Sequence, residues 1–199
     1  MLISNNFYPY DSELTNNELK DIISNHEYWL EKFKETERIN KKFPRLCKII
    51  LAWKFFLTPK YKCADFSKKR IQGVTFKNIN LEKAIFKEAN LVYSAFEHVI
   101  LKEAIMLGVN LSKARLRDVD LSGANLRGAN FNNANLRNVN FQHSILYGVN
   151  FMGSTLDFVD IRDAYFESEI FRGVDLNRVK RNKIIDHKWF VVKNYDVFD

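Results

Sequence analysis

Few residues of this chain are of types that do chemistry. The four histidines, His26, His98, His143 and His187, are the candidates for metal ligation or proton transfer. Cys47 and Cys63 are the candidates for thiolate chemistry, and two cysteines supply neither a disulfide framework nor a zinc site. Acids recur along the chain, and Asp120 and Asp160 are forty residues apart, so they would serve as a general acid and base only if the fold brought them together. No glycine-rich phosphate loop, nucleophile elbow or cysteine with a neighbouring histidine is present. Whether any of these residues meet depends on the elements that carry them.

Those elements follow an unusual period. The stretch "SGANLRGANFNNANLRNVNF", residues 122–141, has Ala or Val and then Leu or Phe at the same place in every block of five. Stepping by five from Phe66 to Leu176, every residue met is Phe, Leu, Ile or Met. Helices repeat near 3.6 and strands near 2, so neither alone explains this period, and its length marks an internal repeat. Two residues before each large residue stands Ala, Ser, Val or Ile, except at Lys69 and Glu169, and the residue between is often Asn or Asp.

A second period sets how many blocks close one coil. At a step of 20 one series reads Ile79, Val99, Val119, Val139, Val159, Val179, and another reads Ala64, Ala84, Ala104, Ala124, Ser144, Ala164. A step of 15 from Val99 lands on Ala114 and Ala129 and mixes the two classes. Four blocks per coil therefore stack like on like, with coils one strand spacing, about 4.8 Å, apart.

The repeat resembles the pentapeptide-repeat family, whose consensus is A(D/N)LXX, over about residues 62–180. The resemblance implies an all-β solenoid, a right-handed quadrilateral β-helix, of about six coils here. Open solenoid ends expose core and unpaired strand groups, so caps are expected. The register breaks at Lys69 and Glu169, and Arg181 stands where the next Leu or Phe is due.

Three segments follow: a helical cap over 1–59, the β-helix over 60–180, and a cap or dimerisation tail over 181–199. "TNNE" at 15–18 is a capping box, followed by Leu19, Ile22, Ile23, His26, Leu30 and Phe33 at helical spacing. A second helix is expected from Pro44 to about Leu57. The stretch "KWFVVKNYDVFD" has strand-like composition; it either folds back on the rod or pairs with a second copy, with Trp189, Phe190, Val191 and Val192 as candidate self-association residues. Family members that protect gyrase dimerise through this end, so the resemblance implies a homodimer.

In this register His98 and His143 point outward from different sides, so they share no metal. Asp120, Asn140 and Asp160 form one ladder, which a turn-forming role explains. No enzymatic activity and no cofactor are expected. The side reading Asp65, Ile85, Ile105, Asn125, Ile145, Tyr165 breaks the Asn/Asp rule, with Leu107 and Tyr147 alongside. Its apolar members Ile85, Ile105, Leu107, Ile145, Tyr147 and Tyr165 are the candidate partner-binding residues, for coverage by the N-terminal helices or for another protein.

The formal charge of +7 is spread thinly. Residues 60–178 carry 17 basic and 13 acidic side chains, a net of +4. Arg115, Arg117 and Arg137 lie among Asp118, Glu97 and Asp157, so a nucleic-acid partner is not expected. Some family members imitate DNA at gyrase or topoisomerase IV, which requires a regular negative surface, and +4 disfavours this alternative. A scaffold that binds a protein partner is the favoured expectation, a bacterial effector being one form of it. No signal-peptide pattern or apolar run long enough to span a bilayer is present, and a cytoplasmic location is expected.

Overall fold

The computed structural model describes residues 15–42 and 63–181. One helix, α1 (Asn16–Lys42), precedes a solenoid whose regular strands are β1 (Thr75–Asn80), β2 (Ala95–Ile100), β3 (Arg115–Asp120), β4 (Asn135–Asn140) and β5 (Thr155–Asp157). They form one parallel sheet in the order β1-β2-β3-β4-β5. Partners are 20 residues apart throughout, as in Phe76↔Phe96 and Leu116↔Leu136. Isolated parallel bridges with the same offset join Asp65↔Ile85, Arg70↔Asn90 and Asn140↔Asp160. The coil therefore has four sides, and we number them from residues 64–68, 69–73, 74–78 and 79–83 and their repeats at steps of 20.

Each block folds the same way because its residue types leave one arrangement. The large residue and the small one two before it point inward, and the three others face out. Leu81, Phe86, Leu91, Leu126 and Phe131 are fully buried, as are Ala84, Ala89 and Ala104. From Phe66 to Ile161 the second residue after each large one has positive φ, as at Lys83 (62°) and Asn133 (56°), which turns the chain by the left-handed region. At three corners the next block's amide closes a β-turn, as when Ala84 N–H donates to the Leu81 carbonyl at 3.1 Å. The fourth corner is taken by strands such as β3, which keeps its pairing through the bend at Asp118.

Stacking then supplies the core. Phe66 lies over Phe86 at 4.6 Å between ring centres, Phe76 over Phe96 at 4.9 Å and Phe131 over Phe151 at 5.2 Å. Burying each such side chain contributes about 1.5–3 kcal/mol. Three inward positions hold serine, and each hydroxyl is satisfied locally: Ser94, Ser144 and Ser154 donate to the carbonyls of Leu91, Phe141 and Phe151. Asn and Asp at the outward position accept from the amide two residues on, as Asn80 does from Glu82 and Asp120 from Ser122. This side-chain turn bond is the reason for the consensus Asn/Asp.

Helix α1 begins at the expected capping box and packs against the first coil. Glu18 accepts from the Thr15 amide and hydroxyl, and the Glu18 amide donates back to Thr15 Oγ1. Leu19, Ile23, His26 and Leu30 are buried, and Leu19 and Ile23 belong to the same core as the coils. Lys69 is only half-buried, and its carbonyl accepts from the Asn90 amide, so the coil survives the register break there. At the other end Glu169 leaves the inward position: it is exposed, within a 3-10 turn over Ser168–Phe171. A carboxylate on the apolar axis would lose its hydration, and the turn avoids this. The second helix expected over 44–57 and the tail with Trp189, Phe190, Val191 and Val192 lie outside the described residues.

Candidate interaction surface

Side 1 is built by the same rules and departs from them in one respect. Parallel bridges run Asp65↔Ile85, Ile85↔Ile105, Ile105↔Asn125, Asn125↔Ile145 and Ile145↔Tyr165, so these residues form one continuous outward row. Each is fixed by a pair of backbone bonds to the level before it: Ile105 N–H donates to the Ala84 carbonyl at 2.9 Å, and its own carbonyl accepts from the Phe86 amide at 2.7 Å. Ile105 is 40% exposed, and Ile85, Ile145 and Tyr165 are half-buried. Leu107 and Tyr147, half-buried, stand beside them. All six candidate residues named from the sequence thus lie on one side of the rod.

The row gives up something that sides 2 and 4 keep. On side 2, Asn90, Asn110, Asn130 and Asn150 each accept from the amide two residues on. Isoleucine and tyrosine carry no acceptor for such a bond, and on side 1 beyond the first level only Asn125 makes it, to Arg127 at 3.3 Å. A side-chain bond of this kind is worth about 0.5–1.5 kcal/mol, and an Ile left partly in solvent recovers only part of the burial of a core residue.

Two features of side 1 went unread in the sequence. Arg127 sits between Leu107 and Tyr147 with its guanidinium 5.7 Å from the Tyr147 ring centre. The adjoining corner holds Gly108, Gly128 and Gly148, all at positive φ, and a methyl group on Gly128 would meet nothing within 4 Å. The recurrence of Gly at a step of 20 was the signal that could have revealed it.

The other candidates are accounted for by packing and pairing. Asn140 donates to Asp120 at 3.1 Å and separates it from Asp160, which Arg162 grips at 2.7 Å. The Arg162 bond is the main cause that holds the Asp160 carboxyl below its ordinary range. Both acids are turn residues in a ladder.

His98 lies 3.5 Å from Asp118, whose carboxyl is depressed chiefly by the hydrogen bond from Asn138. His143 is exposed on another side, and no metal-binding cluster of His, Cys, Asp and Glu exists among the described residues. Cys63 donates to the Lys83 carbonyl at 2.8 Å, and burial pushes its thiol up to about 11, away from thiolate chemistry.

Side 3 carries the mixed charge expected of it. Lys77 pairs with Glu97, Arg117 with Asp118, and Arg137 and Arg178 with Asp157. These exposed pairs contribute little to stability. No helix among the described residues is long and apolar enough to cross a membrane.

The family comparisons agree with this architecture. Residues 64–102 match the family model described as pentapeptide repeats (8 copies), and residues 94–184 match that of the pentapeptide repeat region. No curated protein matches the chain. Among solved structures, a pentapeptide repeat protein of the Arabidopsis thaliana thylakoid lumen is 28% identical, with 53% of this chain and 70% of that one covered and a TM-score of 0.39. The protein Rfr23 of the cyanobacterium Cyanothece 51142 is 25% identical over 64% of this chain and 70% of that one, with a TM-score of 0.22. QnrB1, a plasmid-mediated fluoroquinolone resistance protein, is 18% identical over 59% of this chain and 64% of that one, with a TM-score of 0.32. The two family matches run without a break from residue 64 to 184, more than half of the 199 residues, and with the four-sided coil they make this chain a member of the pentapeptide-repeat family.

Proposed function

We propose that the protein is a non-enzymatic interaction scaffold that presents side 1 of its rod to a protein partner. The observation that carries this reading is the row itself: where sides 2 and 4 hold turn-stabilising Asn and Asp, side 1 holds an exposed Ile105 with half-buried Ile85, Ile145 and Tyr165 at stacked levels. Local rules broken in one contiguous place mark function more often than chance. A rod whose core is a continuous stack is stiff, so a partner orders little on binding it.

Imitation of DNA, the alternative within the family, is disfavoured by the net +4 of residues 60–178, 17 basic against 13 acidic. Exposed pairs such as Lys77 with Glu97 also leave side 3 without a continuous negative face.

The test is capture of binding proteins on immobilised protein, with Ile105→Asp and Tyr147→Asp beside Lys113→Glu on side 2. The expected result is one protein held by the unaltered chain and by Lys113→Glu and lost from both side 1 variants. Equal capture by all four would sink the reading. A quinolone-challenged gyrase assay separates the alternative, which predicts that supercoiling is preserved.

A further inference from the structure

A cavity of about 460 Å³ opens at the last coil, with Ile161, Phe166, Phe171 and Leu176 as its apolar wall and Arg172 and Arg181 among its polar lining. It is the unfinished end of the core. Leu146 and Leu156, one level earlier, are 0% and 7% exposed, whereas Phe166 and Leu176 are only partly buried. Phe171 stacks on Phe151 at 5.3 Å and meets Phe166 edge-on, so the aromatic column reaches the opening and stops. Pairing also thins there: among bridges to the level beyond side 4, Asp160↔Lys180 is the last.

We propose that this cavity seats the chain's own segment 182–199, with Trp189 and Phe190 inserted against Phe166, Phe171 and Leu176. The chain leaves the described solenoid at Arg181, which itself lines the cavity, so the segment starts at the mouth of its own site. Trp189 is eight residues further on, a reach of up to about 26 Å in extended chain, ample to turn back over the end of one coil. A tether this short gives an effective concentration in the millimolar range, so the segment occupies the site ahead of any free competitor of equal intrinsic affinity.

The shape favours one chain over two. Two copies meeting end to end would set concavity against concavity and leave a void between them, whereas a protruding aromatic segment fills it. The segment carries Ile184, Ile185, Trp189, Phe190, Val191 and Val192, enough apolar surface for the purpose, and the charges of both signs at the rim, Glu169 with Arg172 and Arg181, face a segment that likewise carries both Lys and Asp.

The test compares the full chain, a chain ending at Asn182, and Trp189→Asp by light scattering and thermal unfolding. The expected result is the mass of one chain throughout, with both altered proteins melting lower by about 5 °C or more. A fluorescein-labelled peptide of residues 183–199 then binds the shortened protein by anisotropy and raises its melting temperature, and Leu176→Asp in the shortened protein abolishes that binding. A full chain with the mass of two that truncation reduces to one would overturn the proposal in favour of a second copy. Unchanged melting of Trp189→Asp would overturn it without depending on the truncated chain folding.

Discussion

At the scale of single residues, His26 is the clearest case of a side chain whose role packing assigns. Its Nδ1 accepts from the Ala64 amide at 3.1 Å, which joins α1 to the first coil, and its Nε2 is buried. Burial is the main cause that lowers its pKa from 6.5 to about 4. The folded state therefore holds the neutral ring, and the unfolded chain binds a proton below pH 6.5. Its contribution is fully present above pH 6.5 and is lost as pH falls toward 4, about 3 kcal/mol for a shift of this size. Denaturant unfolding between pH 7 and 4.5 should show this loss in the natural protein and a much smaller one in His26→Met. The depressed carboxyls of Glu18, Glu97, Asp118 and Asp160 begin to lose their contributions only as pH falls into the ordinary carboxylate range, a loss common to both proteins. An equal loss in His26→Met would refute the assignment. In the sequence His26 was legible only as one position of an apolar helical stripe; that it would meet a backbone amide 38 residues away was not.

At the scale of the coil's sides, the outward Asn and Asp trade binding surface for turn stability. Asn140 accepts from the Gln142 amide and donates to Asp120, so it ties its own turn and the level below. Asn140→Ala should lower stability by about 1–2 kcal/mol. Ile105 is the reverse case, an exposed apolar residue where the turn would favour Asn. Ile105→Asn should raise stability by about 0.5–1.5 kcal/mol while weakening partner capture, the exchange expected where a site is held against local preference. Thermal unfolding of the two variants checks both signs, and a destabilised Ile105→Asn would show that the row is structural. The Asn ladder and the Ile row were both legible in the sequence, because a step of 20 names residues that stack. The three-glycine corner was written at the same step of 20 and went unread, whereas the place of Arg127 over Tyr147 needed the coil to be built.

At the scale of the whole molecule, stability is a chain of neighbouring interfaces, since each level touches only the ones beside it. Phe131 lies mid-rod, stacked on Phe151 and edge-on to Phe141. Phe131→Ala should cost about 3–5 kcal/mol. The urea transition should also broaden as the two halves of the rod unfold less cooperatively, and a sharp transition with an unchanged slope would contradict the one-dimensional picture. The sequence by itself determined the coil: its period, its four sides, the inward and outward residues and the helical cap were all readable, because solenoid contacts repeat at a fixed separation and the pattern is written many times over. Only the tertiary structure decided what happens where the repeat stops. How α1 anchors through His26, how the last coil leaves a cavity and how a 3-10 turn moves Glu169 into solvent each depend on one contact made once, and a contact made once leaves no period to read.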